Sequence, residues 1–209
     1  MVGDPDPDAA LGRRDRRTRA TRRALLDSAR EVFTEIGYDG AHKSEILRRA
    51  QVSNGSLYHH FGGKAELFLA LHDLMVTHRA NRSEEAVRRK HADGVGDPSE
   101  LYLAACRAYL DACWDDRDLT ILFASGEGPA GLAAARDAAV ERWIDWNAHL
   151  LARSTGDPLT HAVTAVMAEA GRLVARFPDQ AGANEVRDEF LDIVARMTAG
   201  AVVAAVSDE

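Results

Sequence analysis

Thirteen consecutive residues, Val52-Ser53-Asn54-Gly55-Ser56-Leu57-Tyr58-His59-His60-Phe61-Gly62-Gly63-Lys64, concentrate the side chains best suited to chemistry on a polyanion. Leu57 and Phe61 are four apart, so on a helix they share one face and anchor it. Asn54, Ser56, Tyr58 and His59 are then left to the remaining surface. Amide and hydroxyl groups at a helix start can reach base edges, while a phenol and an ammonium suit phosphate oxygens. Gly55 has no side chain and lets the helix backbone come close to its partner. Ser53 is a good N-cap. Lys64 opens the next helix, where a cation adds to exposed amide groups to favour phosphate.

Other chemistries find less support. Cys106 and Cys113 lie seven apart in a helical pattern, about 10 Å, too far for a disulfide. Two buried thiols are the expected state. His59 and His60 are adjacent and point about 100° apart on a helix, so they chelate one metal poorly. The other histidines are scattered. There is no Gly-x-Ser-x-Gly elbow, Walker-type loop or His-Glu-x-x-His helix. No enzyme activity, metal or cofactor is expected.

These groups need elements to hold them. Leu25, Ala29, Val32, Phe33 and Ile36 form one apolar stripe of a first helix, which Gly37 should stop. A short helix is predicted over about 43–50, with Ile46, Leu47 and Ala50 inward. Gln51-Val52-Ser53 then turns into a second short helix over about 54–60. Together these span a helix-turn-helix at about 42–61, whose second helix enters the major groove. Gly62-Gly63 breaks the chain before a long helix from Lys64 to about His91, striped with Leu67, Leu71, Leu74 and Met75. Further helices are predicted at about 100–115, capped by Ser99, and at about 130–154, 158–176 and 184–206. One more short helix is possible within 115–125. No strand pattern is present. The fold class is all-α, with an N-terminal three-helix helix-turn-helix domain and a C-terminal helical domain. The domains divide as a disordered, acidic and then Arg-rich arm at 1–17, the reading head at 18–63 and the body at 64–209.

Charge agrees with this division. The chain of 209 residues has a net charge of −7, yet residues 13–64 carry twelve Lys/Arg against six Asp/Glu, and residues 65–209 fourteen against twenty-four. A basic module followed by an acidic body fits one part that meets an anion and one that does not. Arg13 to Arg23 either lie along the DNA backbone or form a solvated helix start. No run of 18 apolar residues occurs and the N-terminus is not a signal peptide, so a cytoplasmic protein is expected.

Residues 18–68 resemble the DNA-binding domain of the TetR family of transcriptional regulators. The resemblance is carried by Ala29, Phe33, Gly37-Tyr38, Ile46, Ala50, Val52-Ser53, Gly55, Leu57-Tyr58, His60-Phe61, Lys64 and Leu67. It implies a homodimer on a palindromic double-stranded DNA operator, most often a repressor, released by a small-molecule effector bound in the C-terminal domain. In matching positions it implies DNA contacts from Ser53, Asn54, Ser56, Tyr58, His59 and Lys64, with Tyr58 and Lys64 on phosphates and Asn54 and Ser56 nearest the bases. Two departures stand out. Ala41-His42 stands where the family favours Thr, so a phosphate-binding cap is either lost or replaced by His42 and Lys43. Gln51 stands where the family favours Gly, at a cost on the order of 1 kcal/mol if that position is left-handed.

In the body, Tyr102, Cys106, Tyr109 and Cys113 repeat along one helical face, and Trp114, Phe123, Trp143 and Trp146 lie in the same middle helices. They are either ordinary core or the lining of an effector cavity. Val163, Val166, Met167, Ala170 and Val174, then Phe190, Ile193, Val194, Met197 and Ala201, stripe the last two helices. Ala162, Ala165, Ala168, Ala199, Gly200 and Ala204 widen the apolar surface. The resemblance places the dimer interface on this pair; intrachain core is the plainer use. A helical interaction module without DNA affinity is the rival to the regulator, separated by whether the basic segment binds DNA in a salt-dependent way.

Overall fold

The computed structural model describes residues 12–206, with side chains described except at 13, 14 and 200–206. The acidic segment of the N-terminal arm, and the share of the last apolar stripe assigned to Gly200, Ala201 and Ala204, lie outside the described residues and side chains. Among the described residues there are nine helices and no strand: α1 (Arg13–Gly40), α2 (Lys43–Ala50), α3 (Asn54–Phe61), α4 (Lys64–Ala92), α5 (Pro98–Asp115), α6 (Arg117–Ala124), α7 (Leu132–Leu150), α8 (Pro158–Arg176) and α9 (Gln180–Val206). The all-α expectation holds. No helix among the described residues is long and apolar enough to cross a membrane. The described residues divide into two compact units, one of residues up to 71 with 127–129, the other of 72–126 with those from 130 onward. The first boundary falls inside α4, one residue past Leu71, later than the expected division at Lys64.

In the first unit, Leu25, Ala29, Val32 and Phe33 are fully buried on α1. Each large side chain so buried contributes about 1.5–3 kcal/mol. Ile36, expected on the same stripe, is 53% exposed. Gly37 is left-handed at φ 73°, which glycine adopts without a Cβ penalty. It interrupts the helix where a stop was expected, and one further helical turn runs on to Gly40. The Phe68 ring closes the core edge-on to Phe33 (centroids 4.9 Å apart) and to Tyr38 (4.8 Å). Ile46 of α2 and Leu57 of α3 are fully buried in this unit.

In the second unit, α8 packs against α5, α6, α7 and α9. Tyr102, Cys106 and Leu110 of α5 meet Val163, Met167, Ala170 and Val174 of α8 and Leu191 and Val194 of α9 in one core. Most of the stripes assigned to a dimer interface are therefore used inside the chain. Among the described side chains of α9, Ile193 is left outside at 38% exposed, and Leu74 of α4, expected inward, is 48% exposed. The α5–α8 approach is close because residue 171 is Gly: a Cβ there would stand 2.8 Å from Cys113 Sγ. Both thiols are free and buried, as expected. The α5 N-cap is Asp97, whose carboxylate accepts from the Glu100 amide at 2.9 Å, not Ser99; Pro98 fills the first turn, where no amide is required. The helix suspected within 115–125 is α6, and α9 begins four residues earlier than expected.

Candidate nucleic-acid interface and body cavity

The turn between α2 and α3 is built around Gln51, which is left-handed at φ 54°, ψ 40°. The Val52 amide donates back to the Leu47 carbonyl at 3.2 Å, closing α2 with the six-to-one bond typical of such caps. Ser53 then caps α3, its hydroxyl accepting from the Ser56 amide at 3.2 Å. Leu57 is fully buried and pins α3 to the unit, while Asn54, Tyr58 and His59 are exposed. Tyr58 is 51% exposed.

Lys43 of α2 joins this face. Its ammonium donates to the Tyr58 hydroxyl at 3.4 Å and lies 5.3 Å from the Tyr58 ring centroid. Ser53 and Ser56 bond each other through their hydroxyls at 3.0 Å, so the two serines hold the start of α3 as a pair. His42 occupies the α2 N-cap but makes no side-chain capping bond. Lys64 differs most from expectation. Its ammonium donates to the Tyr38 carbonyl at 2.8 Å and the Ala41 carbonyl at 3.0 Å, and sits 4.1 Å from the Tyr38 ring centroid. Two of its three protons thus lock the end of α1 to the start of α4.

Arg17, Thr18 and Thr21 fall within the run from Arg13 to Arg23, which the sequence left open between DNA contact and a solvated helix start, and His60 falls within the motif itself. They line an open groove of about 380 Å³ with Ser53, Gly55, Ser56 and His59. The signal for the groove was the spacing of Arg17 and Thr21 at one helical turn, hidden among neighbouring arginines. Arg22 places its guanidinium 5.0 Å from the Phe61 ring centroid, one use for that run that needs no DNA. Burial pushes the His60 imidazole below its ordinary value, and His59 and Arg22 add to this.

An ion network sets α2 on α1. Arg49 makes paired bonds to Glu35, both at 2.7 Å, and a third to Glu45 at 2.8 Å. Arg48 also grips Glu45, at 2.7 and 2.8 Å. The two guanidinium groups hold the Glu45 carboxyl down at about 2.

The body holds a cavity of about 50 Å³. Of the eight residues assigned to it from the sequence, Tyr102, Cys106, Tyr109, Trp143 and Trp146 line it. The other three go elsewhere. Cys113 faces Gly171, Trp114 stacks on Arg117 (4.6 Å) and Phe123 meets the buried His72 ring edge-on at 5.0 Å. Tyr109, Trp143 and Trp146 form a chain of edge-on rings, with centroids 5.3 and 5.6 Å apart. Asn147 and Thr164 were missed because each stands in a mostly apolar stripe. The Asn147 amide donates to Thr164 Oγ1 at 2.8 Å, and Thr164 donates to the Thr160 carbonyl at 2.7 Å. Burial pushes the Cys106 thiol up to about 12 and raises both Tyr102 and Tyr109, so these groups are neutral.

Residues 25–71 match the family model described as bacterial regulatory proteins, tetR family. The chain is 47% identical over 53 residues to the A-factor receptor protein of Streptomyces griseus, covering 25% of this chain and 19% of that protein. It is 36% identical over 110 residues to the HTH-type transcriptional activator FasR of Mycolicibacterium smegmatis, covering 52% and 48%. The chain thus spans half or less of the length of these curated relatives. A TetR-like transcriptional regulator from Rhodococcus sp. RHA1 shares the fold at 21% identity, with a TM-score of 0.58 over 88% of this chain and 96% of that one. These proteins are named as regulators or a receptor, not as enzymes.

Proposed function

We infer that this chain, whose N-terminal domain belongs to the TetR family of bacterial regulatory proteins, is a DNA-binding transcriptional regulator that reads its operator with α3. The observation that carries the reading is the face of α3: a helix pinned by fully buried Leu57 that presents Asn54, Tyr58 and His59 to solvent, flanked by Lys43 and the paired serines. A lone recognition helix of this length contacts one half-site. A homodimer sets two of them about 34–36 Å apart, or a multiple, on a palindrome. The faces of α8 and α9 not used by the intrachain core, with Ile193 exposed, are the surface for that pairing. Asn54 and Ser56 lie nearest the bases; Tyr58 and Lys43 hold phosphates, with His42 and His59 at the edges. The reading head is residues 18–63 and the body follows it.

Repression needs only that the dimer occupy its operator, and a small molecule in the body cavity releases it by favouring the conformation with the wrong spacing. The ligand's leverage equals its differential affinity for the two conformations. The test is a mobility-shift titration on the intergenic DNA beside the gene, at about 50 and about 200 mM salt, with affinity falling steeply between them through counterion release. Absence of a saturable shift there, and of any enrichment from random sequence, contradicts the reading. A promoter–reporter fusion then separates repression from activation.

A further inference from the structure

The body cavity carries more information than its aromatic walls. Its lining contains no Asp, Glu, Lys, Arg or His among the described residues. A buried ion with no counter-charge is costly, so a charged guest is disfavoured. Three polar side chains at its wall are occupied: Ser83 donates to the Ala105 carbonyl at 3.2 Å, and Asn147 and Thr164 are bonded to each other. The Tyr102 hydroxyl is not. The residue is 1% exposed, and its hydroxyl makes no hydrogen bond of ordinary geometry. The neighbouring polar group is the Cys106 thiol, a weak partner. A buried hydroxyl without a partner is a standing cost that an incoming acceptor removes. Arg79, whose Nε also lacks a partner, is not among the lining residues; its guanidinium lies 5.9 Å from the Tyr109 ring centroid.

We propose that the cavity binds a neutral, flat, largely apolar molecule bearing a carbonyl or ether oxygen that accepts a hydrogen bond from the Tyr102 hydroxyl, its ring seated against Tyr109 and Trp143. This names the effector class for the function inferred above and rests on that reading. The cavity of about 50 Å³ is smaller than the roughly 150 Å³ that holds benzene, so admission of a ring widens it. Val140, 47% exposed, is the lining side chain that borders solvent, so widening there displaces the least packed wall.

The test uses the full chain and four single-ring probes read by fluorine NMR: 4-fluoroacetophenone, 4-fluorocumene, 4-fluorobenzoate and 4-fluorobenzylammonium. The ketone binds most tightly, the cumene, which lacks an acceptor, about five- to tenfold more weakly, and the two ions more weakly again. Tyr102→Phe brings the ketone to the level of the cumene and leaves the fold at least as stable, because it removes an unpaired hydroxyl. A purely structural Tyr102 would instead lower stability and leave the ketone-to-cumene ratio unchanged. Tightest binding of the benzoate or the benzylammonium overturns the neutral class. An unaltered ketone affinity in Tyr102→Phe overturns the acceptor contact. Failure of every probe to bind makes the cavity plain core. Operator binding in the mobility shift stands apart from each of these results, so failure of the ligand class and failure of the regulator reading are told apart.

Discussion

Lys64 donates to the backbone carbonyl of Tyr38 at 2.8 Å while standing 4.1 Å from the centroid of the same residue's ring. One ammonium thus satisfies a carbonyl next to the Gly37 kink and takes up the electron-rich face of the tyrosine. Lys64 is a clamp on the reading head before it is a phosphate ligand. Lys64→Met is expected to destabilise the protein by about 1–2 kcal/mol, because it removes two charge-assisted bonds and a cation–π interaction from a half-buried site. Urea unfolding measures this. In DNA titrations the salt dependence of log affinity keeps its slope; a slope shallower by about 0.9 would instead mark the removal of a phosphate ligand.

The left-handed backbone of Gln51 stores strain that glycine would release. Gln51→Gly is expected to stabilise the protein by about 0.5–1 kcal/mol, the relief of strain outweighing the greater freedom of glycine in the unfolded chain. A lower melting temperature in the variant would mean that the Gln51 side chain makes a stabilising contact of its own.

The Glu45 carboxyl supplies a pH signature. Its pKa in the folded protein, about 2, is depressed below the ordinary value of 4.5 by Arg48 and Arg49. A depressed acid contributes stability that is present above its unfolded pKa and is lost as pH falls through about 4.5 toward 2. Thermal melts of the wild type and Glu45→Gln should therefore differ at about pH 6.5 and converge toward about pH 2. A gap that stays constant with pH would remove Glu45 from the linkage.

Gly171 is expected to tolerate no larger residue. The Cβ of Gly171→Ala would stand 2.8 Å from Cys113 Sγ and 3.2 Å from Tyr109 Cε1. Overpacking of this kind costs about 1–3 kcal/mol. Adding Cys113→Ala opens space for the new methyl, so the double variant should be more stable than the sum of the two single effects implies. Simple additivity in chemical denaturation would mean that α5 and α8 separate freely.

The reading head was more legible than the body. The order of α1 to α4 follows from apolar spacing and from breaks at Gly37, Gln51 and Gly62-Gly63, and α2 and α3 begin where expected. The exposed face of α3 was legible because Leu57 fixes which side of the helix is buried. The role of Lys64 was not, because its partners are backbone carbonyls twenty-six and twenty-three residues away, which no local pattern encodes. In the body, the stripe from Tyr102 to Cys113 was readable as one face, but a face does not say what covers it. Cys113 meets a glycine and is sealed, whereas Cys106, two turns earlier, reaches the cavity. The apolar faces of α8 and α9 invited a partner subunit, yet they satisfy each other and α5 first.

The most direct test of the central claim is affinity across a selected operator and its single-base variants for the wild type, Tyr58→Ala and Asn54→Ala. Tyr58→Ala should weaken binding by a similar factor on every sequence, and Asn54→Ala should change the ranking at one base position, by about 1–3 kcal/mol. If both variants bind every sequence as the wild type does, α3 is not the reading helix and the account is wrong.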